Sequence, residues 1–115
     1  MVKALCHSSK PMVAYGRCLK CVEMWVAQRK PSERYGASVA EVMDMLSAQG
    51  NVCAICETPF GMSRFVIHHN HVTGLPASLL HSNCNSGIGF LLDSAELCER
   101  AAHVIRNPSF KRAPK

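Results

Sequence analysis

Two matched pairs, Cys53-x-x-Cys56 and His81-x-x-Cys84, constrain this chain more than any other feature of its sequence. Two soft donors separated by two residues grip one tetrahedral ion from a single tight turn, and a second such pair completes the coordination. The turn at Cys53 and the segment at His81 must therefore meet in space. Histidine stands at position 81 where cysteine is commoner, and zinc accepts either. An earlier pair, Cys18-x-x-Cys21, has as its other half only Cys6 and the adjacent His7. Neighbouring residues rarely both reach one ion, so the spacing assigns Cys6, Cys18 and Cys21 to a second zinc and leaves open whether His7 is its fourth ligand.

With 115 residues the chain has the size of one domain, small enough for metal staples to matter. Its 48% hydrophobic content is ordinary for a globular protein. The absence of an apolar run of about 18 residues argues against a membrane partner. Residues 1–9 contain one lysine and no long apolar stretch, so they do not read as a secretory signal, and a reducing, cytoplasmic setting is expected. In that setting paired cysteines indicate metal rather than disulfides. Cys98, at helical spacing with Ala101, Ala102 and Ile105, reads instead as a small buried thiol.

A net charge of +5 and a pI near 9.0 point to a polyanionic partner. The distribution says more: between Glu57 and Asp93 there is no carboxylate, although the stretch holds four of the six histidines and Arg64. A phosphate could sit there without meeting a negative charge.

Residues 1–34 read as an N-terminal zinc knuckle followed by a helix from about Leu19 to Arg29, which Lys30-Pro31-Ser32 ends. From there to Gly36 a linker is expected. Residues 35–110 form the main domain. Ser38 and Glu41 have capping-box spacing for a helix that buries Val39, Val42, Met43 and Leu46 and stops at Gly50. Phe65, Val66 and Ile67 predict a short strand leading into a histidine cluster, and a loop runs through Thr73-Gly74 and Pro76. A helix is expected from the His81 region to about Leu92 despite Gly87 and Gly89, whose presence suggests close packing against backbone or nucleic acid. The last helix is expected to start at Asp93 or Ser94 and stop at Asn107-Pro108. Residues 111–115 form a basic tail with Lys111, Arg112 and Lys115.

The segment Val66-Ile67-His68-His69-Asn70-His71 lies between the halves of the central zinc site, and Asn85 follows its last ligand. The zinc would thus hold a histidine-bearing strand against the start of a helix carrying Asn85. With these residues in place, "YGASVAEVMDMLSAQGNVCAIC", "VIHHNHVTG", "LLHSNCNSGIG" and "SAELCERAAHVIRNP", spanning about Tyr35 to Pro108, the chain resembles the HNH nucleases of the phage recombination endonuclease VII family. The resemblance implies a small α+β fold, a ββα-metal (His-Me finger) core braced by structural zinc and surrounded by helices. It implies a metal-dependent DNA endonuclease, a phosphodiester hydrolase that nicks duplex or cleaves branched DNA. His69 matches the general base, Asn85 a ligand of the catalytic divalent metal, and His71 the histidine that completes the site at the scissile phosphate. His68 stands where the family usually has aspartate, the other ligand of that metal. A phage-encoded protein of the host bacterial cytoplasm is expected on the same ground, with its oligomeric state open.

The chain departs from the family pattern at His68 and Asn70, each for aspartate, at His81 for cysteine, and at Ala77-Ser78 for Arg-Gly. The catalytic divalent ion is expected to be Mg, Mn or Ni; imidazole and amide ligands without a carboxylate suit Mn, Co, Ni or Zn better than hard Mg, so cleavage should be stronger with Mn or Ni than with Mg. The alternative is a non-catalytic, zinc-braced module that binds nucleic acid or protein.

Overall fold

A computed structural model describes residues 3–107. It is a small α+β protein with five helices and one two-stranded antiparallel sheet among those residues. The chain divides into two compact units, one reaching Asn85 and the other beginning at Ser86. The basic tail, Lys111, Arg112 and Lys115, lies outside the described residues, as does Pro108.

In the first unit, short bridges between Lys3 and Pro11 and between Ala14 and Arg17 fold the N-terminal segment back on itself. Helix α1, Leu19–Gln28, follows and buries Val22 and Val26, four residues apart on one face. The linker expected next is a short helix, α2, Pro31–Tyr35. Pro31 occupies its first turn, where proline's fixed φ suits a helix and the missing N–H costs nothing. Lys30 and Gly36 flank α2 in left-handed conformations, so the Lys-Pro pair that ends one helix also begins the next.

Helix α3, Val39–Ala48, carries the expected capping box: Ser38 Oγ accepts from Glu41 N at 3.1 Å, and Glu41 Oε1 accepts from Ser38 N at 3.0 Å. Val42 and Leu46 are fully buried, whereas Val39 and Met43 are half-buried. The helix packs against α1 and α2 and against the sheet.

Strand β1, Phe65–His69, is longer than Phe65, Val66 and Ile67, since His68 and His69 continue the pairing. Its partner β2, Pro76–His81, takes in Pro76, Leu79, Leu80 and His81. Between them Asn70 builds the turn: its Oδ1 accepts from Val72 N at 2.8 Å and Thr73 N at 3.1 Å, and its N–H donates to Leu75 O at 2.8 Å. Phe60, Phe65, Leu79 and Leu80 are buried, and since Leu79 and Leu80 are consecutive on β2 they face opposite sides of the ribbon, so both of its faces are covered there. Gln49 ties α3 to it, because its amide donates to Leu79 O and accepts from Leu79 N, both at 2.8 Å, and also donates to Val52 O at 2.9 Å. The side chain thereby pairs with β2 as another strand would.

Helix α4, Ser82–Phe90, starts in the first unit and ends two residues before the expected Leu92, because Leu92 and Asp93 both take left-handed φ. A Cβ added at Gly87 or Gly89 would meet nothing within 4 Å, so close backbone packing does not explain these glycines. In the second unit, α5, Ala95–Arg106, is capped by Ser94, whose Oγ accepts from Leu97 N at 3.2 Å. Glu96 in its first turn pairs with Arg100 at 2.8 Å. Cys98 is half-buried, not buried, since α5 has no fully buried residue.

Candidate active site and metal centres

The central pairs converge as their spacing requires. Ligand atoms of Cys53, Cys56, His81 and Cys84 all lie within 4.8 Å of one another, with Cys56 Sγ 3.3 Å from His81 Nδ1. The N-terminal set converges too and includes both neighbours, Cys6 and His7, with Cys18 and Cys21. His7 Nδ1 is 3.5 Å from the sulfurs of both Cys18 and Cys21, and Cys6 Sγ is 3.6 Å from Cys18 Sγ. Around tetrahedral zinc, with Zn–S about 2.3 Å and Zn–N about 2.0 Å, neighbouring donor atoms lie about 3.5 to 3.8 Å apart. Both sets are compatible with structural zinc.

Backbone donors prepare the sulfurs for a cation. Cys18 N donates to Cys6 Sγ at 3.3 Å, and this bond leads in bringing the Cys6 thiol down to about 6. Burial raises Cys53, but N–H groups of Cys56, His81 and Ile55 outweigh it and bring that thiol to about 6 as well. Hydrogen bonding to Cys6, then burial, pushes Cys21 up to about 11, and burial followed by bonds to Cys53 and Cys56 does the same to Cys84. Each set therefore joins a readily ionised thiol, Cys6 or Cys53, to one that resists ionisation until a positive charge arrives, Cys21 or Cys84.

The central set bridges the end of β2 and the first turn of α4, and so fixes Asn85 relative to the ribbon. His69 and Asn85 line one cleft of about 330 Å³. Their neighbours in it include Tyr15, Trp25, Arg29 and Arg34, and its lining holds no carboxylate. His69 Nδ1 is buried, while the residue as a whole is half-exposed. The ring of His71 stacks on His69 with centroids 5.2 Å apart and planes 9° apart. His68 does not line this cleft, and its ring centroid is 6.4 Å from that of His71. A β-bulge falls between His68 and His69, where His68 pairs with Ser78 and His69 with Pro76, passing over Ala77. The extra residue is on β2; on β1 successive side chains face opposite sides of the ribbon, and this separates the two neighbouring histidines. Among the described residues, His68, His69 and His71 do not form a third set converging like the cysteine clusters.

A family model for recombination endonuclease VII matches residues 27–107, more than half of the chain. The chain belongs to the recombination endonuclease VII family. It is similar to the Gene 59 protein of Mycobacterium phage D29, 34% identical over 76 residues, which are 64% of this chain and 46% of that protein. The Gene 59 protein of Mycobacterium phage L5 is 33% identical over 76 residues, with the same coverage. The chain thus spans a little under half the length of these curated relatives. No solved structure gives a significant match.

The family match contains the central cluster, the histidines and Asn85 of this endonuclease VII relative, but begins after the N-terminal cluster and after Tyr15 and Trp25. Those two aromatics and the two cleft arginines are what the sequence reading missed. One signal was available: Trp25 in α1 and Arg29 at its C-cap stand four apart and so share a face. Arg34 was hidden by the reading of residues 31–35 as a linker. No helix among the described residues is long and apolar enough to cross a membrane.

Proposed function

We propose that this family member is a metal-dependent DNA endonuclease of the HNH, or His-Me finger, type, with structural zinc in both Cys/His sets. The observation that carries the reading is the meeting of His69 and Asn85 in a cleft that has cationic side chains and no carboxylate. A backbone phosphate can enter such a cleft without charge repulsion. The family match supports a nuclease, and the relatives in two mycobacterial phages support a phage protein working in a bacterial host.

His69 is the general base. Its imidazole takes a proton from the attacking water. The water oxygen bonds to phosphorus as the bond to the 3′ oxygen breaks, leaving a 5′-phosphate end. His71, stacked on His69, holds that ring in place and contacts the scissile phosphate. Asn85 from the cleft lining, with His68 from beside the cleft rather than within it, would hold the catalytic divalent cation, which would supply charge neutralisation at the phosphate and leaving oxygen. An amide and an imidazole suit Mn or Ni better than Mg, which favours hard oxygen ligands and keeps its waters.

A plasmid-nicking assay in Mg, Mn and Ni, with the His69→Ala variant alongside, tests this. The wild type should nick DNA faster with Mn or Ni than with Mg. The variant should lose cleavage by about a hundredfold or more, the scale of a missing general base, while still binding DNA. A folded, zinc-loaded wild type that cleaves neither supercoiled nor branched DNA in any of the three metals would overturn the nuclease reading. Equal rates in Mg and Mn would overturn the ligand assignment alone.

A further inference from the structure

Resting on the nuclease reading, one wall of the His69 cleft has a use of its own. α1 and α2 contribute Arg29 and Arg34 to the lining, the first from the capping residue of α1 and the second from within α2. Both side chains are exposed, and among the described residues neither pairs with a carboxylate.

Arg29 is also held in position. Its guanidinium carbon lies 4.9 Å from the centre of the Trp25 ring, within the range of a cation–π contact. Trp25 in turn packs on Tyr15 with centroids 4.2 Å apart, and Tyr15 OH donates to Phe65 O on β1 at 2.9 Å. A continuous stack therefore runs from the catalytic strand through two aromatic rings to Arg29. Tyr15 belongs to the N-terminal knuckle, whose backbone is bonded to the segment before β1 through Tyr15 N to Ser63 O at 3.0 Å and Gly16 N to Gly61 O at 2.9 Å. The knuckle and α1 thus place a guanidinium against the strand that carries His69.

We propose that Arg29 and Arg34 form a phosphate clamp, binding DNA backbone phosphates that flank the one at which His69 acts. A planar guanidinium offers paired N–H donors to phosphate oxygens, and one already ordered by an aromatic face loses less freedom on binding. The N-terminal knuckle, which lies outside the family match, is then part of the substrate-binding surface as well as a staple.

The test measures binding apart from cleavage. Anisotropy of a labelled short duplex is followed over a range of salt concentrations on the full chain carrying His69→Ala, without added divalent metal. Arg29→Gln and Arg34→Gln should each weaken binding at low salt, and each should reduce the slope of log K against log salt by about 0.9. Arg17→Gln, which removes an exposed charge outside the cleft lining, should leave the slope within error. Trp25 is the chain's only tryptophan, so duplex binding should change its emission, and Arg29→Gln should remove most of that change. Unchanged slopes in both cleft variants overturn the clamp, as does an equal effect of Arg17→Gln; cleavage by the wild type would still sustain the nuclease reading. Slopes reduced as expected in a protein that never cleaves would sustain the clamp and remove the nuclease.

Discussion

The N-terminal cluster takes all four side chains from the short stretch between Cys6 and Cys21, which runs into the first turn of α1, whereas the central cluster reaches from the Cys53 turn to the end of β2 and the first turn of α4. Chemically the two are alike, each with three sulfurs and an imidazole nitrogen. Mechanically they differ. The N-terminal set closes a local loop whose backbone is already bridged at Lys3–Pro11 and Ala14–Arg17. The central set joins elements separated in sequence by the whole β-ribbon and fixes where Asn85 stands. Loop-closure entropy rises with the length of chain enclosed, so the ion that encloses more chain has more of the fold to hold.

Removing a ligand from each cluster should break the symmetry between them. Cys53 is fully buried and its sulfur accepts from both Ile55 N and His81 N at 3.4 Å. Structural zinc contributes about 10 to 16 kcal/mol in small modules, as much as a domain's whole stability. Cys53→Ser should therefore abolish the cooperative unfolding transition in calorimetry. Cys21→Ser, at a half-buried ligand, should leave one zinc per chain by elemental analysis and a cooperative transition at lower temperature. If the Cys21 variant also loses its transition, the N-terminal knuckle is as essential as the central one.

A smaller effect should separate the metal's contribution to β2 from that of the protein's own hydrogen bonds. Gln49→Ala removes the amide that both donates to Leu79 O and accepts from Leu79 N. Leu79 O keeps a bond from Ala54 N at 3.3 Å, but Leu79 N loses its partner in a position where the side chain is fully buried. Stranding a buried donor costs about 1 to 3 kcal/mol. The denaturation midpoint should fall accordingly, with zinc content unchanged. A loss of zinc in this variant would mean that the Gln49 clamp, rather than the ion, sets the position of the His81 end.

Features specified by neighbouring residues were legible in the sequence. The Ser38–Glu41 capping box, the x-x spacing of the cysteine pairs and the strand from Phe65 depend on residues within one turn, and each appears where it was expected. What depends on distant contacts was not legible. Adjacent Cys6 and His7 argued against a shared ion, yet the Lys3–Pro11 bridge turns the backbone so that both side chains face Cys18 and Cys21. The convergence of Arg29 and Arg34 with His69 depends on how α1 and α2 sit against the ribbon, which helical periodicity does not encode. Cys98 reads as buried from spacing alone, but half-burial depends on what covers α5.

The smallest effect concerns the joint between the two knuckle regions. Gly16 has φ +69° and sits where a Cβ would lie 3.0 Å from Met62 Sδ and 3.2 Å from Leu5 Cδ1. Its N–H donates to Gly61 O and its carbonyl accepts from Leu5 N, so the backbone cannot turn away without losing both bonds. Gly16→Ala therefore meets two separable costs. Left-handed φ costs about 1 to 2 kcal/mol in any residue with a Cβ. The Met62 contact is with the end of a flexible, exposed side chain that can yield, so it should add little. A double-mutant cycle with Met62→Ala distinguishes the two: the cost of Gly16→Ala should persist in the Met62→Ala background, giving a coupling within about 0.5 kcal/mol of zero. Large coupling would show that side-chain packing, not backbone conformation, sets the distance between the knuckle regions, and that the N-terminal cluster is locked to the ribbon more rigidly than two backbone bonds require.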